Sequence, residues 1–225
     1  MRRSLLKQIV SDKEHGRPVV LATNLTDHTQ KLIYPTETKE INEITTQAAQ
    51  TLKTDTALTA DSTGGQWFTM ALNPPLRLVI IGAVHIAQAL SAMAALTGYE
   101  VIIIDPREAF ATQERFPNSR LMNEWPDEAL KTVAPDHRTA LVTLTHDPKL
   151  DDPALSQALG GECFYIAALG SRKTHQARLE RLKKTGHDDK ALARICGPAG
   201  LALGARSPAE IAISILAQMT EVLRT

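Results

Sequence analysis

The run Leu78-Val79-Ile80-Ile81 leading into Gly82-Ala83-Val84-His85-Ile86-Ala87 constrains this chain more than any other stretch. An apolar, β-branched segment that passes through a glycine straight into a small-residue helix reads as the first strand, tight turn and first helix of a nucleotide-binding α/β domain. The helix carries Ala87, Leu90, Ala94 and Thr97 at i, i+3, i+7 and i+10, the spacing of one buried face, and Gly98 closes it. A second apolar run, Val101-Ile102-Ile103-Ile104, ends in Asp105. Asp105 follows Gly82 at close to the roughly 20-residue offset at which an acid ending the second strand reaches a ribose hydroxyl. The dinucleotide fingerprint G-x-G-x-x-G/A nevertheless has Val84 where its second glycine belongs, and that side chain narrows the approach to a pyrophosphate. The fold signal is therefore stronger than the NAD(P) signal.

The rest of the chain fits an α/β protein of two parts, 1–72 and 73–225, divided at Asn73-Pro74-Pro75 because two prolines continue neither a paired strand nor a helix interior. Before the prolines we expect a small α+β subdomain. Its elements are a helix from Ser4 to about Glu14, strands Val19–Thr23 and Gln30–Tyr34, a helix from about Glu40 to Leu52, and a hairpin of Thr56–Ala60 with Gln66–Leu72 joined through Asp61-Ser62-Thr63-Gly64-Gly65. Beyond them strands and helices alternate: strand 78–82, helix 85–97, strand 100–104, a loop with a short helix, a weak strand at Arg120–Met122, strand Thr139–Leu144, a helix containing Leu155–Leu159, and strand Cys163–Leu169. Alternation of this kind predicts a Rossmann-like parallel sheet with helices on both faces. Ser207-Pro208-Ala209-Glu210 opens the last helix with a capping box, and Ile211, Ile215, Met219 and Val222 repeat along its core face.

Composition excludes several functions. Twenty-five Lys and Arg balance 25 Asp and Glu, and aromatic residues make up 4%, so neither a nucleic-acid footprint nor an anionic-membrane surface is indicated. No secretory signal follows Met1-Arg2-Arg3, and no apolar run approaches the roughly 18 residues that span a bilayer. Two cysteines without metal-motif spacing, Cys163 and Cys196, agree with a reduced, cytoplasmic protein.

In an open parallel sheet ligands collect beyond the carboxyl ends of the strands. There this sequence places Gly82, Ala83, Val84 and His85; Asp105 and Arg107; Thr145, His146 and Asp147; and Gly170, Ser171 and Arg172, followed by Lys173. Gly170-Ser171-Arg172-Lys173 opens a helix, where amides, a hydroxyl and two cations suit a phosphate, or where Ser171 is only an N-cap and the cations a solvated face. His146 and Asp147 are of types that serve acid–base catalysis or ligate metals, but strand alternation would point them apart. No Ser-His-Asp or Cys-His order emerges, and we assign no catalytic residue and no metal ligand. The glycine-rich stretch 197–206 suits close backbone approach or a structural turn, and Cys196 beside it reads as a buried small residue.

From Pro74 onward the chain resembles the XdhC/CoxI family, the accessory factors of molybdenum hydroxylases such as xanthine dehydrogenase. The resemblance rests on residues 78–87, on Ile104-Asp105-Pro106-Arg107 with Glu114-Arg115-Phe116-Pro117, on Thr145-His146-Asp147-Pro148-Lys149, on Ala168-Leu169-Gly170-Ser171-Arg172-Lys173-Thr174, and on Gly197-Pro198 through Gly204-Ala205-Arg206-Ser207-Pro208-Ala209-Glu210-Ile211-Ala212. It implies a Rossmann-like domain that binds molybdenum cofactor, protects it while its sulfurated form is made, and delivers it to an apo-hydroxylase of the xanthine dehydrogenase type. It also implies a cysteine desulfurase and a second copy of the chain as partners, and makes the twelve crevice residues candidate contacts for the pterin and its phosphate. Gly16-Arg17-Pro18-Val19-Val20-Leu21-Ala22-Thr23 resembles the family's opening strand, but the cysteine-containing, glycine-rich motif of many longer members has no counterpart before Pro74. The alternative is an NAD(P)-dependent oxidoreductase using the same crevice.

Overall fold

A computed structural model describes residues 2–62 and 64–225. The chain divides into two compact units, Met1–Pro74 and Pro75–Thr225.

The first unit contains α1 (Arg3–Glu14), β1 (Val19–Asn24), β2 (Gln30–Ile33), α2 (Glu43–Thr54), β3 (Leu58–Ser62) and β4 (Gly65–Leu72). Its strands form an antiparallel sheet in the order β2-β1-β4-β3. Val20, Ala22, Ile33, Ile44, Ala48 and Trp67 make its core. The α2 helix starts three residues later than its apolar pattern suggests because Asn42 caps it. The Asn42 side chain accepts from the Thr45 N–H at 2.9 Å and the Thr45 hydroxyl accepts from the Asn42 N–H at 2.9 Å. The β3 and β4 strands run further into the expected connector than the sequence indicated, pairing Ser62 with Gly65. Thr63, in that connector, lies outside the described residues.

The second unit contains β5 (Arg77–Ile81), α3 (His85–Leu96), β6 (Glu100–Ile104), β7 (Arg120–Met122), α4 (Pro126–Val133), β8 (Thr139–Thr143), α5 (Pro148–Gly160), β9 (Tyr165–Ala168), α6 (Arg172–Lys184), α7 (Asp189–Leu192), β10 (Ile195–Cys196) and α8 (Pro208–Arg224). The strands are all parallel, in the order β10-β9-β8-β5-β6-β7. Numbered from β5, this is the doubly wound order whose switch point lies between the first and fourth strands, here β5 and β8. Alternation divides the strand residues between two cores. Leu78, Ile80, Val101, Ile103 and Val142 pack with residues of α3 and α8. Val79, Ile81, Ile102, Ile104 and Leu141 pack with residues of α4, α5 and α6. Both sheet faces are covered, which is why the strands read as unbroken apolar runs.

Several elements of this unit differ from the sequence reading. Among the described residues no helix forms between β6 and β7, where a short one is expected; α4 follows β7 instead, and neither α4 nor α7 has a counterpart in the sequence reading. Thr97, expected on the buried face of the first helix, is its exposed C-cap. The helix read around Leu155–Leu159 extends from Pro148 to Gly160: Pro148 occupies the first helical position, and Pro153 is accommodated inside. The strand expected from Cys163 starts at Tyr165, and β10 is a two-residue strand with no periodicity to announce it.

Candidate functional site

The carboxyl ends of β5, β6, β8 and β9 bring together the sequence-predicted residues around the switch point. Gly82 follows β5 at φ +105°, a conformation that favours glycine. A Cβ there would sit 2.4 Å from the Thr145 Cγ2, so the glycine makes room for a side chain crossing from the β8 end. Ala83 is fully buried, and its N–H donates to the Asp105 Oδ2 at 2.8 Å. Val84 is the N-cap position of α3 without a side-chain cap bond, and His85 stands exposed on the first turn.

Asp105 is fully buried. Beyond the Ala83 bond, its Oδ1 accepts from the Arg107 N–H at 3.0 Å and from Arg107 Nε at 2.8 Å, and its Oδ2 accepts from Arg107 Nη2 at 2.7 Å. Burial alone would raise the Asp105 pKa, but the Arg107 hydrogen bonds and the Ala83 amide outweigh it and hold the carboxyl below its ordinary value. The Arg107 guanidinium lies 4.6 Å from the Phe110 ring centroid and also feels the Asp147 charge.

After β8 the chain leaves the strand, so alternation does not govern His146 and Asp147. His146 adopts φ +63° and is exposed. Asp147 caps α5, its Oδ1 accepting from the Lys149 N–H at 2.9 Å. The Thr145 hydroxyl accepts from the Asp147 N–H at 3.0 Å and donates to the Asp151 Oδ1 at 2.7 Å. After β9, Gly170 takes φ +146°, and a Cβ would come within 3.2 Å of the Thr174 side chain. Ser171 is the N-cap of α6, accepting from the Thr174 N–H at 3.1 Å. Arg172 and Lys173 are exposed on the first turn of α6, and neither makes an ion pair among the described residues.

The edge so formed holds cations, imidazoles and a helix N-terminus, a donor set for an anionic organic ligand. Among the described residues no group of three or more His, Cys, Asp or Glu is placed to hold a bare metal ion.

The XdhC Rossmann domain matches residues 78–219. The chain belongs to the XdhC family. Its relatives include the molybdenum cofactor insertion chaperone PaoD of Escherichia coli K12, 32% identical over 155 residues covering 69% of this chain and 42% of that protein. A Bacillus subtilis 168 protein named as a probable subunit of xanthine dehydrogenase is 30% identical over 155 residues, covering 68% of this chain and 45% of that protein. The chain thus spans under half the length of these two relatives. A crystal structure of a xanthine dehydrogenase from Bacillus halodurans shares the fold, with a TM-score of 0.75 and 22% identity over 99% of this chain and 64% of that one.

In this XdhC family member a buried pair between α5 and α6 went unread in the sequence as a pair. Asp151 on α5 and Arg178 on α6 are each 1% exposed and stand 3.7 Å apart, Nη2 to Oδ2. Arg178 Nη2 also donates to the Leu169 carbonyl at 2.9 Å, so Thr145, Asp151, Arg178 and Leu169 tie the loop after β8 to the loop after β9. Burial pushes the Asp151 carboxyl up despite Thr145 and Arg178, and pushes the Arg178 pKa down. The available signal was complementary spacing: Asp151-Asp152 on one helix faces Arg178 and Arg181 on the next, and Arg181 grips Asp152 through bonds of 2.6 and 2.9 Å. Cys163 is buried and Cys196 half-buried, and burial raises both thiol pKa values, Cys163 to about 11.

Proposed function

We propose that the crevice at the β5–β8 switch point binds molybdenum cofactor as cargo, and that the chain assists its sulfuration and its insertion into a xanthine dehydrogenase-type hydroxylase. The observation that carries this reading is the arrangement of Arg107, His146, Ser171, Arg172 and Lys173 around one open strand edge in a chain of the XdhC family. Support for the cargo comes from the relative named as a molybdenum cofactor insertion chaperone, and support for the hydroxylase from the relative named for xanthine dehydrogenase. The α6 N-terminus with Arg172 and Lys173 suits the pterin phosphate. His85 and His146 offer ring nitrogens to the heterocycle edges, and Val84, Thr145, Asp147 and Gly170 form the backbone rim, while the buried Gly82, Ala83 and Asp105 shape it without reaching the ligand. A cysteine desulfurase supplying the sulfur and a second copy of the chain complete the proposal.

Titration of the purified chain with molybdenum cofactor tests it. We expect micromolar affinity for wild type, and for Arg172→Ala a loss of about 1.5–3 kcal/mol, the worth of a charge-assisted contact. A folded Arg172→Ala variant that binds as wild type does would remove the phosphate assignment. A reading as an NAD(P)-dependent oxidoreductase draws on the strand order but meets Val84 and an Asp105 whose oxygens are already engaged.

A further inference from the structure

Asp105 stands where doubly wound domains keep the acid that accepts hydrogen bonds from a ribose 2′-hydroxyl. A carboxylate has about four acceptor positions. Here four donors meet it: the Ala83 N–H at 2.8 Å, the Arg107 N–H at 3.0 Å, Arg107 Nε at 2.8 Å and Arg107 Nη2 at 2.7 Å. Its side chain exposes no surface, so a ribose hydroxyl finds neither a free lone pair nor a path. Arg107 is different. Although its fork is committed inward, its side chain remains 43% exposed, and its guanidinium is held flat by the bidentate bond on one side and by Phe110, itself 45% exposed, on a face. A guanidinium fixed in this way offers a cationic plane on which a fused ring stacks. The facing charges are Asp105 and, across the switch point, Asp147.

Building on the reading of this crevice as the cargo site, we propose that Arg107 sets its ligand class. By filling Asp105 it removes the acceptor that selects a ribose diol, and by lying on Phe110 it presents a plane to an anionic, fused-ring ligand. The pair therefore turns a position that reads nucleotide sugar into one that reads a charged heterocycle.

The test compares adenosine 5′-monophosphate with its 2′-deoxy analogue, both free of the pyrophosphate that Val84 crowds, on wild type, Arg107→Ala and Arg107→Lys. Wild type should bind the two alike. Arg107→Ala, with Asp105 released, should prefer the ribonucleotide by at least tenfold. Arg107→Lys keeps the charge, protects against a folding failure of the alanine variant, and should show the same preference to a smaller degree. Molybdenum cofactor should bind both variants at least tenfold more weakly than wild type. Equal ratios in all three proteins, or no detectable nucleotide binding by either variant, would overturn the diol argument; unchanged cofactor affinity would overturn the stacking argument. If wild type binds no molybdenum cofactor, the proposed function fails, while the ribose preference still decides what Arg107 does to Asp105.

Discussion

Gly82 shows how one residue serves a role the fingerprint does not spell out. Its positive φ and the 2.4 Å approach of the Thr145 methyl to a built Cβ make Gly82→Ala costly twice over. We predict a loss of about 1–3 kcal/mol from backbone strain, with further loss from the clash. Thr145→Ser, which deletes that methyl and keeps the hydroxyl on Asp151, should recover only the clash component, and denaturant unfolding of the double variant measures the recovery. Asp105 makes a second residue-scale prediction. Its pKa is lower in the folded chain than in the unfolded one, so its contribution to stability is present above the ordinary carboxylate range and is lost as pH falls through the lowered value. Melting temperature followed from pH 7 to pH 3 should fall less steeply in Arg107→Ala than in wild type; parallel curves would contradict the assignment. The sequence located Asp105 at a strand end but was silent on its saturation. That depends on Arg107 folding back across two residues, a side-chain choice no periodicity encodes.

At the scale of elements, the buried link between α5 and α6 holds two crevice loops together. Removing one member of a buried ion pair leaves the other uncompensated, so Arg178→Met should cost about 3–5 kcal/mol, and Asp151→Asn added to it should restore part of that loss. Additive losses in the double variant would show that the two side chains are not coupled. At the far end of the chain, Ser207 and Glu210 exchange capping bonds at 3.3 and 2.9 Å. Thermal unfolding of Ser207→Ala should therefore reveal a loss of about 1 kcal/mol. The start of α8 was legible because its cap, proline and apolar stripe agree with one another, but Val222, expected on the core face, lies exposed, and the buried face is carried by Ala212, Ser214, Ile215 and Met219. The start of α5 was not, since Pro148 and Pro153 read as breakers although the first sits where a helix tolerates it best. Nor was β10, whose two residues carry no pattern.

For the whole molecule, the alternation of apolar runs and amphipathic helices was enough to foresee a parallel sheet covered on both faces, because burial on two sides demands unbroken runs such as Ile102-Ile103-Ile104. Strand order was not readable in the same way, since it depends on which crossover each helix makes. That order puts the switch point between β5 and β8, and so brings Gly82, Asp105, Thr145 and Ser171 to one edge from four separate stretches of chain. The central claim is that this edge holds molybdenum cofactor. The most direct measurement is a crystal of the chain grown with the cofactor and recorded at the molybdenum absorption edge, where anomalous scattering locates the metal independently of the protein. The account predicts a molybdenum peak beyond the carboxyl ends of β5 and β8, with the cofactor's phosphate at the N-terminus of α6. A peak at the opposite edge of the sheet, or on the unit formed by residues 1–74, would contradict it.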